Sequence, residues 1–256
     1  MKIGVLIKGV IDPDDPLFII ENNQRKGDKV VISTYDENAL EVALKLKDKD
    51  NSIEVNVITI TDKDFSQGIK KALAMGADKA IVINNSENLF LDTFSIANIL
   101  SKIIKEEGFD IVLTGFESAD WSSRTIAPYL AAKLNYNYLT FCHYLELIDN
   151  NNKVLAYKIF NDDEYIIQTK LPALFSITTH PNNIPRYPKV KDIMLASKKP
   201  IKNLNISEFK DLIKNYIDLH KTELVNNEIE CMIIEGDTPE IKAQKLVSKL
   251  KELKII

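Results

Sequence analysis

What most constrains this chain is the rhythm of its first half, in which short apolar runs alternate with stretches whose apolar residues recur at helical spacing. The runs are Ile3 to Ile7, Ile53 to Ile60, Ala80 to Ile83 and Asp110 to Thr114. Strands of this kind joined by helices are βα units, which stack into a sheet covered on both faces. The sequence therefore predicts an α/β fold with a mostly parallel, doubly wound sheet and helices on both faces. Between the first two runs, Ser33-Thr34-Tyr35-Asp36-Glu37 leads into Ala39, Leu40, Ala43, Leu44 and Leu46, the apolar stripe of a helix expected from about Tyr35. Thr34 and Glu37 are spaced as a capping box. A second helix is expected over Phe65 to Met75, closed by Gly76 as a left-handed cap, and a third over Thr93 to Glu107, with Asp92 as N-cap and Gly108 closing it in the same way.

From Tyr138 the pattern changes to short β-type runs, Leu139 to Leu147, Val154 to Phe160, Tyr165 to Thr169 and Leu174 to Thr178, separated by polar clusters. Connections this short imply an antiparallel extension of the sheet. The stretch 181–200 contains Pro181, Pro185, Pro188 and Pro200, which excludes a central strand and reads as an extended surface segment. The end of the chain forms a C-terminal arm with an amphipathic stretch near Ile206 to Leu219. It also has a helix from about Pro239 to Leu253, capped by Thr238, whose face of Ile241, Ala243, Leu246, Val247, Leu250 and Leu253 packs on its own domain or docks on another subunit.

Composition narrows the function classes. With 33 Lys and Arg against 37 Asp and Glu, a net charge of -4 supplies no field to draw in nucleic acid. The first residues are too short a run for a signal-peptide core and no stretch reaches membrane-spanning length, so direct membrane insertion is not expected. Cys142 and Cys231 stand far apart, which fits a reducing cytoplasm and neither a disulfide framework nor a zinc site. His143, His180 and His220 are isolated in sequence, and there is no G-x-S-x-G elbow, Walker lysine loop or Gly-rich dinucleotide fingerprint. No catalytic residue is expected, and no metal.

The segment with most chemical content is Gly115-Phe116-Glu117-Ser118-Ala119-Asp120-Trp121-Ser122-Ser123-Arg124-Thr125-Ile126, which follows a buried strand and opens a helix. Ligands of open α/β sheets gather at the carboxyl ends of strands, and a helix N-terminus offers N–H groups and positive dipole to an anion. Arg124 in a helix's first turn would be opposed by that dipole unless an anion compensates. Two readings stand for it: a phosphate ligand, or a surface ion pair with Asp120. Trp121 and Tyr35 are placed to stack on an adenine ring or to serve plain packing.

Several segments together resemble the beta subunit of electron-transfer flavoproteins. Lys2-Ile3-Gly4-Val5-Leu6-Ile7-Lys8-Gly9-Val10-Ile11-Asp12 is similar to the family's first strand, Ser33 to Lys47 to its Asn-Pro-aromatic-Asp-Glu segment and helix, and Ala72-Leu73-Ala74-Met75-Gly76-Ala77-Asp78-Lys79-Ala80 to a characteristic string. Leu171-Pro172-Ala173, Pro185-Arg186-Tyr187-Pro188 and Ile193-Met194-Leu195-Ala196-Ser197-Lys198-Lys199-Pro200-Ile201 follow in the family's order, so the resemblance covers about residues 1–201.

The resemblance implies an electron carrier rather than an enzyme. It implies a heterodimer with an alpha subunit that carries or shares FAD, and AMP in this subunit, or a second FAD as in members that bifurcate electrons. It places the nucleotide at Leu6, Ser33, Thr34, Tyr35, Asp36, Ile60 and Gly115 to Ile126. It makes 1–200 the nucleotide-binding domain and 181–200 a recognition loop for dehydrogenases and for a quinone-linked or other oxidoreductase. Partner contacts in that loop fall to Arg186, Tyr187, Val190, Ile193 and Met194, with Val190 as apolar anchor and Lys189, Lys191, Lys198 and Lys199 at a polar rim. Residues 201–256 become an extension docking on the alpha subunit. The sequence departs from the family where Ser33-Thr34 replaces Asn-Pro, Phe116-Glu117 replaces Lys-Gln, and Asp120-Trp121-Ser122-Ser123-Arg124-Thr125 replaces Asp-Gly-Asp-Thr-x-Gln. Bulky Trp121 in place of a glycine favours AMP over FAD. A stand-alone adenine-nucleotide-binding protein of the universal-stress type is the alternative, but its Gly-rich phosphate loop is absent. A pyrophosphatase-type enzyme would need a Ser-Gly-Gly-x-Asp-Ser loop where Lys8 to Pro13 stands.

Overall fold

Because Ile3, Val5 and Leu6 lie in an unbroken apolar run, the first strand needs cover on both faces, and it takes a place deep inside the sheet. In chain order the strands are β1 (Lys2–Leu6), β2 (Gly9–Ile11), β3 (Ile19–Glu21), β4 (Gln24–Lys26), β5 (Val30–Ile32), β6 (Glu54–Thr61), β7 (Lys79–Asn84), β8 (Ile111–Gly115), β9 (Asn137–Ile148), β10 (Lys153–Phe160), β11 (Asp163–Lys170), β12 (Ala173–Ile177) and β13 (Ile201–Asn205). The α-helices are α1 (Thr34–Lys49), α2 (Ser66–Met75), α3 (Thr93–Glu107), α4 (Ile126–Leu134), α5 (Val190–Ala196) and α6 (Pro239–Glu252). The computed structural model describes residues 1–15, 19–21, 24–27, 29–62, 64–221 and 231–256. The chain divides into two units, Met1–Thr222 and Glu223–Ile256.

The first unit is built on a nine-stranded sheet of order β11-β10-β9-β12-β8-β1-β6-β7-β13. All neighbours from β9 to β13 in that order are parallel; β10 pairs antiparallel with both β9 and β11, so it alone runs against the rest. Successive strand residues feed opposite faces. Ile3, Val5, Val55, Val57, Ile111 and Leu113 pack with Leu40 and Leu44 of α1 and Leu73 of α2. Leu6, Ile58, Ile81 and Val112 pack with Ile99 and Ile103 of α3 and Leu130 of α4. The fold is the expected doubly wound α/β type.

Local signals hold at several helix ends. Asp92 caps α3 by accepting from the Ser95 N–H at 2.8 Å, and Gly108 closes it at φ 70°. Gly76, at φ 141°, has positive φ but lies outside the left-handed helical region. The capping box at Thr34 and Glu37 does not form: Ser33 is the N-cap, and Glu37 pairs with Lys71 instead.

Two expectations for the second half change. Leu174 to Thr178, expected in the antiparallel extension, becomes β12 and returns between β8 and β9, parallel to both. All five of its residues are buried, a demand that only an interior position meets. The Pro-rich segment is not extended throughout, because the proline-free stretch after Pro188 forms α5, with Lys189 as N-cap and Asp192 in the first turn. The chain then runs along β7 as the edge strand β13. In the second unit α6 begins as expected, with the Thr238 side chain accepting from Ile241 N–H and Pro239 opening the helix, and none of its residues is buried. Among the described residues no helix is long and apolar enough to cross a membrane.

Candidate ligand crevice at the strand switch point

The winding of the sheet makes one crevice. From β1 the chain adds β6 and β7 on one side, then crosses to place β8 on the other, so strand order reverses between β1 and β8. The two strands pair only as far as Val5 opposite Leu113. Beyond that, Ile7 N–H donates to Ile58 O at 2.9 Å, and Phe116 N–H donates to Ile177 O at 2.8 Å, so each strand stays with its outer neighbour and the pair opens. A gap at the carboxyl ends of strands where order reverses is the general ligand position of open α/β sheets.

Several of the residues expected from sequence border this gap, while Ile60 lies one strand away, on the far side of β1. Leu6 ends β1, Ile60 lies near the end of β6, Gly115 ends β8, and Ser33 to Asp36 form the start of α1. Asp36 is buried and joins the two strand ends: its carboxylate accepts from Lys8 N–H and from Gly115 N–H, each at 2.9 Å. Burial pushes the Asp36 carboxyl up to about 7, against the pull of these two N–H groups and of the Lys8 charge. The approach of α1 explains Gly115, since a Cβ there would stand 2.5 Å from the Asp36 carboxylate and 2.8 Å from Tyr35 Cβ. The Ser33 hydroxyl accepts from Ala119 N–H at 3.1 Å, tying α1 to the loop after β8.

That loop, 116–125, organises its own charges. Lys8 Nζ lies 2.8 Å from Asp120, and Arg124 Nε lies 2.6 Å from Glu117 with its guanidinium over the Phe116 ring, 4.8 Å from the centroid. Of the two readings for Arg124, the surface ion pair with Asp120 does not form; Asp120 pairs with Lys8 and Arg124 with Glu117. Arg124 does not stand in a helix's first turn: α4 starts at Ile126, with Pro128 inside its first turn, while Ser122 and Arg124 take φ of 46° and 57°. Ser122 N–H and hydroxyl both donate to Ser118 O, closing a turn, and Thr125 bonds Ser123 and Thr93 by its hydroxyl. Thr34 is exposed, and Trp121, 56% exposed, stands in solvent rather than filling the gap.

Sequence reasoning missed the aromatic wall of this region. Phe116 lies 4.3 Å from Phe141 and 6.2 Å from Tyr35, and Phe141 lies 6.3 Å from Phe160. Phe141 has φ 60° where the β9–β12 register shifts. Nothing local marks that bulge, because it arises from pairing with a strand more than thirty residues away. The histidines are also less isolated than their spacing implied: His143 and His180 stack with centroids 4.0 Å apart. Burial and the neighbouring His180 hold the His143 pKa below its usual range. Among the described residues no three potential metal ligands gather.

The 184–199 segment divides in two. Tyr187, Val190, Ile193 and Met194 are exposed, Val190 at 76%. Arg186, by contrast, is committed within the chain: its guanidinium bonds both oxygens of Glu41 on α1, at 2.9 and 3.0 Å, and those of Asp48, at 3.2 and 2.6 Å. Lys189, Lys191 and Lys198 are exposed, but Lys199 is not at a rim. Its ammonium donates to Leu73 O and Ala77 O at the end of α2, where burial lowers its pKa.

Comparison with known proteins bears on this arrangement. The family model described as electron transfer flavoprotein domain matches residues 24–209. The electron transfer flavoprotein subunit beta of Bacillus subtilis (strain 168) is 32% identical over 210 residues, 81% of this chain and 80% of the relative. The protein of that name from Thermoanaerobacterium thermosaccharolyticum is 30% identical over 266 residues, covering 100% of both chains. The caffeyl-CoA reductase-Etf complex subunit CarD of Acetobacterium woodii is 29% identical, over 96% of this chain and 94% of the relative.

Proposed function

Because this chain belongs to the electron transfer flavoprotein family, with relatives named as beta subunits along most of its length, we propose that it binds an adenine nucleotide in the crevice between β1 and β8. With an FAD-carrying alpha subunit, it then passes electrons from dehydrogenases to an acceptor oxidoreductase. The observation that carries the reading is the opening of β1 from β8 beside the N-terminus of α1 and the guanidinium of Arg124. Phosphate would be held by main-chain N–H groups of the 116–125 loop and by Arg124. The Phe116, Phe141 and Tyr35 rings offer apolar faces for the base.

The exposed position of Trp121 removes the steric argument for AMP over FAD, so the nucleotide is AMP or a second FAD. Docking of partner oxidoreductases falls to the exposed apolar residues Tyr187, Val190, Ile193 and Met194, with Val190 as anchor. The cytoplasm is the compartment this reading fits. The test is extraction of nucleotides from the complex that co-purifies with this chain. One FAD and one AMP per complex, or two FAD, supports the reading and names the ligand; FAD alone at one per complex refutes the site.

A further inference from the structure

Where β1 and β8 part, the main-chain N–H groups of Lys8 and Gly115 face a gap instead of a neighbouring strand, and a buried N–H needs an acceptor. One side chain serves both. The Asp36 carboxylate, in the first turn of α1, takes Lys8 N–H on one oxygen and Gly115 N–H on the other, each at 2.9 Å. We infer that Asp36 is a positioning residue that sets the opening between the carboxyl ends of β1 and β8, and with it the crevice's hold on its ligand, through the strand ends. The ligand side of this inference rests on the nucleotide reading above; the clip itself does not.

The chemistry of the group makes the clip depend on ionisation. A carboxylate accepts on both oxygens at once, whereas a protonated carboxyl carries a hydrogen that needs an acceptor of its own, and an amide turns one of the two atoms into a donor. The charged groups facing Asp36 are Lys8 from the end of β1 and Asp120 from the loop after β8, already paired with each other. On its own helix, Glu37 is paired with Lys71. Burial pushes the carboxyl up to about 7, so the clip changes state around neutral pH. In the fold this pKa is raised above that of the unfolded chain. The carboxyl's contribution to stability is therefore fully present in acid and is lost as pH rises through about 7. Holding the strand ends and stabilising the fold pull in opposite directions as pH rises.

The experiment uses the full chain, with AMP as probe, in calorimetric titrations from about pH 6 to pH 8 on wild type and Asp36→Asn. It is accompanied by amide chemical shifts of Lys8 and Gly115 and by melting curves. Wild-type affinity should rise with pH through about 7. That of Asp36→Asn should be flat and, at the upper end, weaker by roughly ten- to a hundredfold. The Lys8 and Gly115 amides should titrate together in wild type and not in the variant, and the melting temperature of the variant should gain on wild type as pH rises. A merely structural residue would lose affinity and stability together. Equal affinity of the variant, with wild type binding AMP, refutes the positioning role, and amides indifferent to pH refute the clip. A wild-type chain that binds neither AMP nor FAD refutes the nucleotide reading, and the amide shifts then decide on the clip alone.

Discussion

Around the 116–125 loop, single residues show how charge pairing occupies one cation fully and another only in part. Lys8 is spent on Asp120, which also accepts from Trp121 N–H at 2.9 Å. Arg124 gives its Nε to Glu117, and a guanidinium has further donors in the same plane. Glu117 thus fixes the orientation of Arg124 over Phe116, and in the nucleotide reading proposed above the rest of the fork would meet the phosphate. Arg124→Ala is expected to weaken retention of the adenine nucleotide by roughly ten- to a hundredfold, the worth of a charge-assisted hydrogen bond. Because Arg124 is exposed, the melting temperature should stay nearly constant. Nucleotide counted before and after gel filtration checks the first statement and a thermal scan the second. Retention equal to wild type would hand the phosphate to the main chain alone.

At the scale of elements, α1 carries two duties along its length. Its first turn meets the crevice, while its outward side holds the segment that leads to α5. Asn38 donates to Asn183 O at 2.8 Å, Lys45 bonds Asn182 O, and Glu41 and Asp48 hold Arg186. Glu41 is only 3% exposed, so Arg186 is the partner that makes its burial tolerable. Removing one member of such a pair leaves an uncompensated charge, whereas removing both does not. Arg186→Leu should cost about 2–4 kcal/mol, a range reduced from that of a fully buried pair because Arg186 keeps contact with solvent. The double variant Arg186→Leu with Glu41→Gln should recover part of the loss. Urea midpoints of the two variants check this, and a single variant as stable as wild type would show that the clamp holds nothing.

For the whole molecule, the two units pose different problems. The first has its own core on both faces of the sheet, whereas α6 presents Ile241, Leu246 and Val247 without burying them. We propose that this apolar helix face docks on an alpha subunit, the partner that membership of the family implies. Co-expression with an alpha subunit should give a yellow 1:1 heterodimer, and deletion of residues 223–256 should weaken or abolish it. Sedimentation with flavin absorbance checks both. A chain that stays a stable monomer beside an alpha subunit would end this reading.

What the sequence by itself determined here are the features whose energetics close within a few residues. The cap at Asp92, the left-handed stop at Gly108 and the Thr238-Pro239 helix start each depend on backbone groups no more than one turn away, and the buried strands announce themselves by their own apolar runs. The resemblance motifs singled out Ser33 to Asp36 and the segment after β8, and these do meet, through Ser33 with Ala119 N–H and Asp36 with Gly115 N–H. Tertiary structure alone decided which atoms meet there. That Asp36 bridges the ends of β1 and β8 follows only from their parting in the sheet. Lys8 finds Asp120 across 112 residues of chain, and β12 enters the sheet between β8 and β9 rather than after β11. Lys199 caps α2 instead of facing a partner. Each of these is fixed by strand order and by the need to give every buried polar group a partner, conditions that the packed molecule satisfies as a whole.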